Sequence, residues 1–259
     1  MDQALTPAEA LVLLDPDRTP GQQAAKVTLM ALMAQGALRV QRPESRFTGL
    51  VRLSVANPPP SPPPHVAAVL EAVRAAGKGA VDDVARNLSK ATDRYRSFVP
   101  AMILPGLVAR GLLTSHTRQE TRRLLLVFKR TVTVTTHTPT AAGEREQARL
   151  RQALDQAPEI RRLLDRDPAR AAAMAAALGA LIFLVPELLP LIDRLAGVAS
   201  LPAAQFVTDS SGSDGEWSTM TEVNSAVDGA LDAATSSGSD SDSGDGDSGD
   251  SGGSDGGGE

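Results

Sequence analysis

The chain reads as a mainly α protein with two tandem winged-helix-like units, a helical C-terminal part and a disordered acidic tail. Three observations predict this. A twelve-residue pattern occurs twice in the first half, LMALMAQGALRV (29–40) lining up without gaps on LPGLVARGLLTS (104–115). Each copy is a short apolar helix that ends in glycine and runs into a strand. The prolines of NPPPSPPP (57–64) form a stiff break between the two copies, because proline lacks the donor that a helix or a central strand needs. Past Arg194 the chain holds no Lys or Arg, and Ser, Gly and Asp dominate its end.

Taken in order, the first unit spans 4–56. TPAEALVLL (6–14) opens with Thr6 as N-cap, Pro7 at the first helical position and Glu9 at the capping-box position. VTLMALMAQ (27–35) then ends at Gly36, which sits where a helix needs a left-handed residue. The hairpin that follows leads from ALRV through PESRFTG to LVRLSV, where Val51, Leu53 and Val55 alternate with Arg52 and Ser54.

The second unit spans 65–136. HVAAVLEAVRAAG (65–77) carries Val66, Val69, Leu70 and Val73 on one face. FVPAMILPGLVAR (98–110) is apolar on nearly every side, is broken by Pro100 and Pro105, and ends at Gly111. Its hairpin leads from LLTS through a turn at HTRQET to RRLLLVFKRTVTV. A helical part fills 139–197. Within it AAAMAAALGALIFLVP (171–186) falls short of the ~20 apolar residues needed to span a bilayer, so it reads as a buried helix or helix pair. Residues 207–259 have little to bury and read as disordered.

The formal charge of −5 averages two unlike parts. Residues 1–206 carry 26 basic and 18 acidic side chains, a net of +8, and the tail carries thirteen acids. A basic body with an acidic tail points to an anionic partner for the body or to masking by the tail. Without cysteines there are no disulfides and no thiolate metal sites. The N-terminus lacks the basic region of a secretory signal, so a cytoplasmic place, peripheral to a membrane where one is contacted, is expected.

Nothing in the pattern points to catalysis. His65, His116 and His137 lie far apart and read as solvated turn histidines, with no partner at metal-ligand spacing. Asp82 and Asp83 are neighbours on a helix and do not face each other, and GKGAVDD (77–83) lacks the glycines and hydroxyl of a phosphate loop. The expectation is a protein that is not an enzyme, without cofactor or metal.

Basic residues carry the better signal. Arg86, Lys90 and Arg94 recur at i, i+4, i+8, which lines them up on one helical face. With Arg96, Arg122, Arg123, Lys129 and Arg130 they form the candidate anionic-ligand site. Such a run reads either as a solvated face or as a site for phosphate, in nucleic acid or in a lipid head group. Nucleic acid is disfavoured, because the helices at the recognition position lack the polar side chains that would reach base edges.

The stretch LVARGLLTSHTRQETRRLLLVFKRTVTVTTHTPT (107–140), the ARLRQAL that follows, and the opening LTPAEALVLL resemble the Golgi phosphoprotein 3 family over about residues 4–195. That resemblance implies a mainly helical fold. It also implies binding of phosphatidylinositol 4-phosphate through a tryptophan and several arginines, with recruitment of the protein and its clients to membranes. The sole tryptophan, Trp217, lies in the tail. The family's paired arginines fall near Arg96, Ser97 and Pro100, so that only Arg96 corresponds. The segment RRLLDRDPARAAAMAAALG (161–179) and the Ser/Gly tail also resemble the soluble C-terminal half of uncharacterised bacterial membrane proteins, which carry no assigned biochemistry. The functional expectation is a non-catalytic adaptor for an anionic lipid head group or a protein partner. The alternative is a winged-helix nucleic-acid-binding or protein-interaction module.

Overall fold

The computed structural model describes residues 4–41, 51–124, 128–198 and 220–236. Over these it is mainly helical with two antiparallel strand pairs, the fold class expected.

Local sequence explains the first elements. Helix α1 (Pro7–Leu14) starts on a complete capping box: the Glu9 amide donates to Thr6 Oγ1 at 3.2 Å, and the Thr6 amide donates to Glu9 Oε2 at 2.8 Å. Helix α2 (Gly21–Ala34) is buried continuously from Val27 to Ala34. A helix apolar on all sides belongs in a core, and α2 packs against α1 and the elements that follow. After the proline run, helix α3 (Pro64–Ala75) buries Val66, Val69, Leu70 and Val73, the face read from the sequence.

The repeat is a repeat of hydrogen bonds. Strand β1 (Leu38–Gln41) leaves α2 through Gly36 at φ 67°, where the Gly36 amide donates to the Met33 carbonyl and the Ala37 amide to the Leu32 carbonyl, both at 2.9 Å. In the second copy Gly111 lies at φ 68°, its amide donates to Val108 at 2.9 Å, and the Leu112 amide donates to Leu107 at 3.0 Å. Both are Schellman ends, which require a left-handed residue that glycine adopts without a Cβ penalty. β1 pairs with β2 (Arg52–Val55), Leu38 opposite Val55. β2 also bonds the turn that precedes helix α4 (Val81–Ala91), the Leu53 amide donating to the Gly79 carbonyl at 2.6 Å.

Helices α5 (Phe98–Met102) and α6 (Leu104–Ala109) are the broken apolar segment expected, with Pro105 in the first turn of α6. The hairpin after them differs from expectation. Strands β3 (Leu113–Leu124) and β4 (Phe128–Pro139) pair without interruption, so HTRQET is strand and not turn. That segment holds no glycine, proline or asparagine to reverse the chain. Its threonines suit a solvated ribbon, and Thr114 and Thr138 hydroxyls meet across it at 2.9 Å.

Helices α7 (Ala141–Leu154), α8 (Ala157–Leu163) and α9 (Pro168–Leu178) follow, α7 capped by Thr140 and α9 by Asp167. Two 3-10 segments, Gly179–Leu184 and Pro186–Leu191, lead into α10 (Ile192–Val198). Ala171, Ala175, Leu178, Ile182, Phe183 and Leu188 from this region join the same core as α1 and α2. Among the described residues no helix is long and apolar enough to cross a membrane.

The stretch expected to be disordered contains one helix among the described residues. Within 207–259, residues Met220–Ser236 form a helix, α11, that packs on α4 and α2. Its Val223, Val227, Ala230 and Leu231 are buried at helical spacing. Averaging composition over the whole tail hides that stripe.

Candidate anion-binding site

The eight predicted cations fall into two groups. Arg86 and Lys90 are exposed on α4, but the helix ends at Ala91 and Arg94 does not continue their face. This corrects the i, i+4, i+8 alignment. Thr92, fully buried, turns its hydroxyl back to the Leu88 carbonyl at 2.6 Å. Asp93, Arg94 and Tyr95 then adopt left-handed backbone at φ 46°, 53° and 66°. Each such residue costs about 1–2 kcal/mol without glycine. Compensation comes from neighbouring bonds: the Arg94 amide donates to the Ser89 carbonyl at 2.7 Å, the Ser97 amide to Thr92 at 3.0 Å, and the buried Tyr95 hydroxyl to the Ala85 carbonyl at 2.7 Å. Burial raises the Tyr95 phenol above its ordinary value, which keeps it a donor.

The turn sets Arg94 and Arg96, both exposed, beside the N-terminal end of α2. Gly21, the first residue of α2, lies so close that a Cβ there would sit 1.9 Å from the Tyr95 carbonyl oxygen. Only glycine admits this approach. The turn therefore brings the backbone of a cation-bearing segment to a helix N-terminus, where backbone dipoles already favour negative charge. Arg86 is engaged by Asp83 of its own helix at 2.7 Å, an exposed pair of small energetic weight.

The second group lies near the far end of the long hairpin. The strand register sets Arg122 opposite Arg130 and Arg123 opposite Lys129. Arg122 lies nine steps along β3 from Leu113, which at the usual rise is about 30 Å from the base of the hairpin. The base itself is held: the Thr140 hydroxyl donates to the Gly111 carbonyl at 2.6 Å and its amide to Leu112 at 3.0 Å.

A further cation, on α2, was not singled out from the sequence. Lys26, on α2, bonds Asp228 of α11 through both carboxylate oxygens, at 2.6 and 2.7 Å. One turn nearer the N-terminus of α2, Gln22 donates to Asp232, and Ser89 of α4 donates to the Ala234 carbonyl at 3.2 Å. Lys26 stands alone among apolar neighbours in the sequence. The signal that could have found it is the matching stripe of α11.

The histidines do not converge. His116 is exposed on β3, and His137 sits near Asp17, whose carboxylate accepts the His137 amide at 3.2 Å. His65 is 1% exposed, which corrects its reading as a solvated turn residue. It starts α3 against the α1 capping box, its Nε2 3.0 Å from Thr6 Oγ1, with a further bond to the Met102 backbone. Burial lowers its pKa, opposed by the Glu9 carboxylate and by the Met102 bond. Glu9 also takes Arg110 at 3.4 Å. Every group of this cluster is used in holding α1, α3 and α6 together. Trp217 lies outside the described residues.

The family model described as Golgi phosphoprotein 3 (GPP34) matches residues 8–212, from α1 through α10. No curated protein matches the chain.

Proposed function

The chain belongs to the Golgi phosphoprotein 3 (GPP34) family, and from that premise we propose that it is a non-catalytic adaptor that docks peripherally on an anionic membrane surface. The observation that carries this reading is the register of the long hairpin. Like charges directly opposite each other on a ribbon are destabilising. Two such pairs in succession, Arg122 with Arg130 and Arg123 with Lys129, serve a phosphate-bearing surface better than they serve the fold. A two-stranded hairpin is itself marginal in water, and a bound surface supplies the missing support. Phosphatidylinositol 4-phosphate is the head group that family membership favours, with Arg94 and Arg96 at the α2 end as its further contacts. Residues 4–56 and 65–136 act in this reading as two winged-helix-like units used for packing and partner contact. Their shared Schellman ends support that division.

Co-sedimentation of the full chain tests it, with neutral phosphatidylcholine vesicles, vesicles carrying phosphatidylserine, and vesicles carrying phosphatidylinositol 4-phosphate at equal surface charge. Each basic residue at a membrane surface contributes about 1 kcal/mol, roughly a fivefold change in binding. Arg122→Ala with Arg123→Ala should therefore weaken binding by roughly twenty-five-fold. Equal binding to both anionic vesicles would reduce the reading to a basic surface without head-group selectivity. No binding to either, at low salt, would leave a protein-partner module.

A further inference from the structure

The chain supplies its own anion to the α2 end of the candidate site. Helix α11 runs antiparallel to α2, since Asp228 meets Lys26 and Asp232 meets Gln22 one turn closer to the α2 N-terminus. Its carboxylates thus occupy the cation on α2 and the end where helix dipoles favour negative charge. Its own C-terminal end, partially negative, reaches Ser89 through the Ala234 carbonyl, and the Ser89 carbonyl in turn accepts the Arg94 amide. The occupant and the two cation-bearing elements, α2 and the left-handed turn, meet at one place.

We propose that α11 is a detachable acidic lid, an intramolecular competitor that an anionic membrane surface displaces from Lys26 and the N-terminal half of α2. This rests on the membrane reading above. Three features fit a lid better than a fixed part of the core. The buried stripe, Val223, Val227, Ala230 and Leu231, is interrupted by Gly229, which buries no side chain. The clamping Asp228 side chain is 45% exposed, open to competition by another anion. Twenty-one residues, 199–219, separate α10 from α11.

Net charge and lid release are separated by one substitution. Val227→Asp adds a negative charge, so simple electrostatics predicts weaker binding to anionic vesicles. Release of the lid predicts stronger binding. We expect the full-length Val227→Asp chain to lose amide protection over 220–236 by at least about tenfold, to keep the protection of α1 and α3, and to bind phosphatidylserine vesicles several-fold more tightly. Asp228→Asn should move both readouts the same way by less. Lys26→Gln should free α11 without the gain in binding, because it also removes the cation. In the unaltered chain, saturating phosphatidylserine vesicles should raise exchange over 220–236, and neutral vesicles should not.

Wild-type binding with α11 still protected overturns the lid and leaves the membrane reading standing. So does a Val227→Asp chain that frees α11 and binds no better. Failure of every form to bind anionic vesicles overturns both.

Discussion

Helix α3 carries His65 against the capping box of α1, its Nε2 3.0 Å from Thr6 Oγ1 and the Glu9 carboxylate close enough to act on it. Thr6, Pro7 and Glu9 announce their roles within four positions, because a capping box is local chemistry. His65 gives no such sign. Its burial comes from α3 packing on the cap of α1, 59 positions away in sequence. That burial has a consequence for pH. The folded-state pKa of His65 lies below the unfolded value near 6.5, with desolvation the main cause. As pH falls, the unfolded chain takes the proton first. The stability contributed by neutral His65 is therefore complete above about pH 6.5 and declines as pH drops below it, levelling off once the folded form also protonates. Chemical denaturation at several pH values between neutral and mildly acid should show this decline, and His65→Gln should flatten it. An unchanged slope in the variant would assign the pH dependence to other groups.

Elements were legible where a periodic pattern met a stop signal. The repeated helix–glycine–strand unit was found because glycine at a Schellman end is a local requirement, met twice with the same bonds. The middle of the long hairpin, HTRQET, is polar at every position and offers no alternation of apolar and polar residues. A ribbon solvated on both faces leaves no period-2 hydrophobic pattern to read. The left-handed turn after α4 was equally hidden, because Asp93, Arg94 and Tyr95 are held there by Thr92, Ser89 and Ala85 and not by their own preferences. The repeat supports a paired prediction. Gly36→Ala and Gly111→Ala both force a Cβ into left-handed backbone, in sites where nothing lies within 4 Å of the new atom. Strain without a clash should cost about 1–2 kcal/mol in each case. Similar losses in thermal or chemical denaturation would fit equivalent sites. A several-fold larger loss at one of them would show that the two ends do not carry the same load.

For the whole molecule, the charge asymmetry was plain in the sequence while the pairing that uses it was not. Lys26 and Asp228 are 202 positions apart, beyond any local pattern. Their contact makes salt a diagnostic. Screening shortens from about 10 Å at 0.1 M to about 3 Å at 1 M, and both partners of this pair are partly exposed. Salt therefore loosens α11 from α2 at the same time as it weakens the body for an anionic membrane. In the unaltered chain the two effects oppose each other: the intrinsic attraction falls, but the fraction with an open site rises. In Val227→Asp the lid is already off, so only the first effect remains. The logarithm of vesicle binding should fall with the logarithm of salt more steeply for Val227→Asp than for the unaltered chain, the two lines converging at high salt. Parallel lines would mean that α11 and the membrane do not compete for the same charges, and the thirteen acids of the tail would then act only through the overall field of the protein.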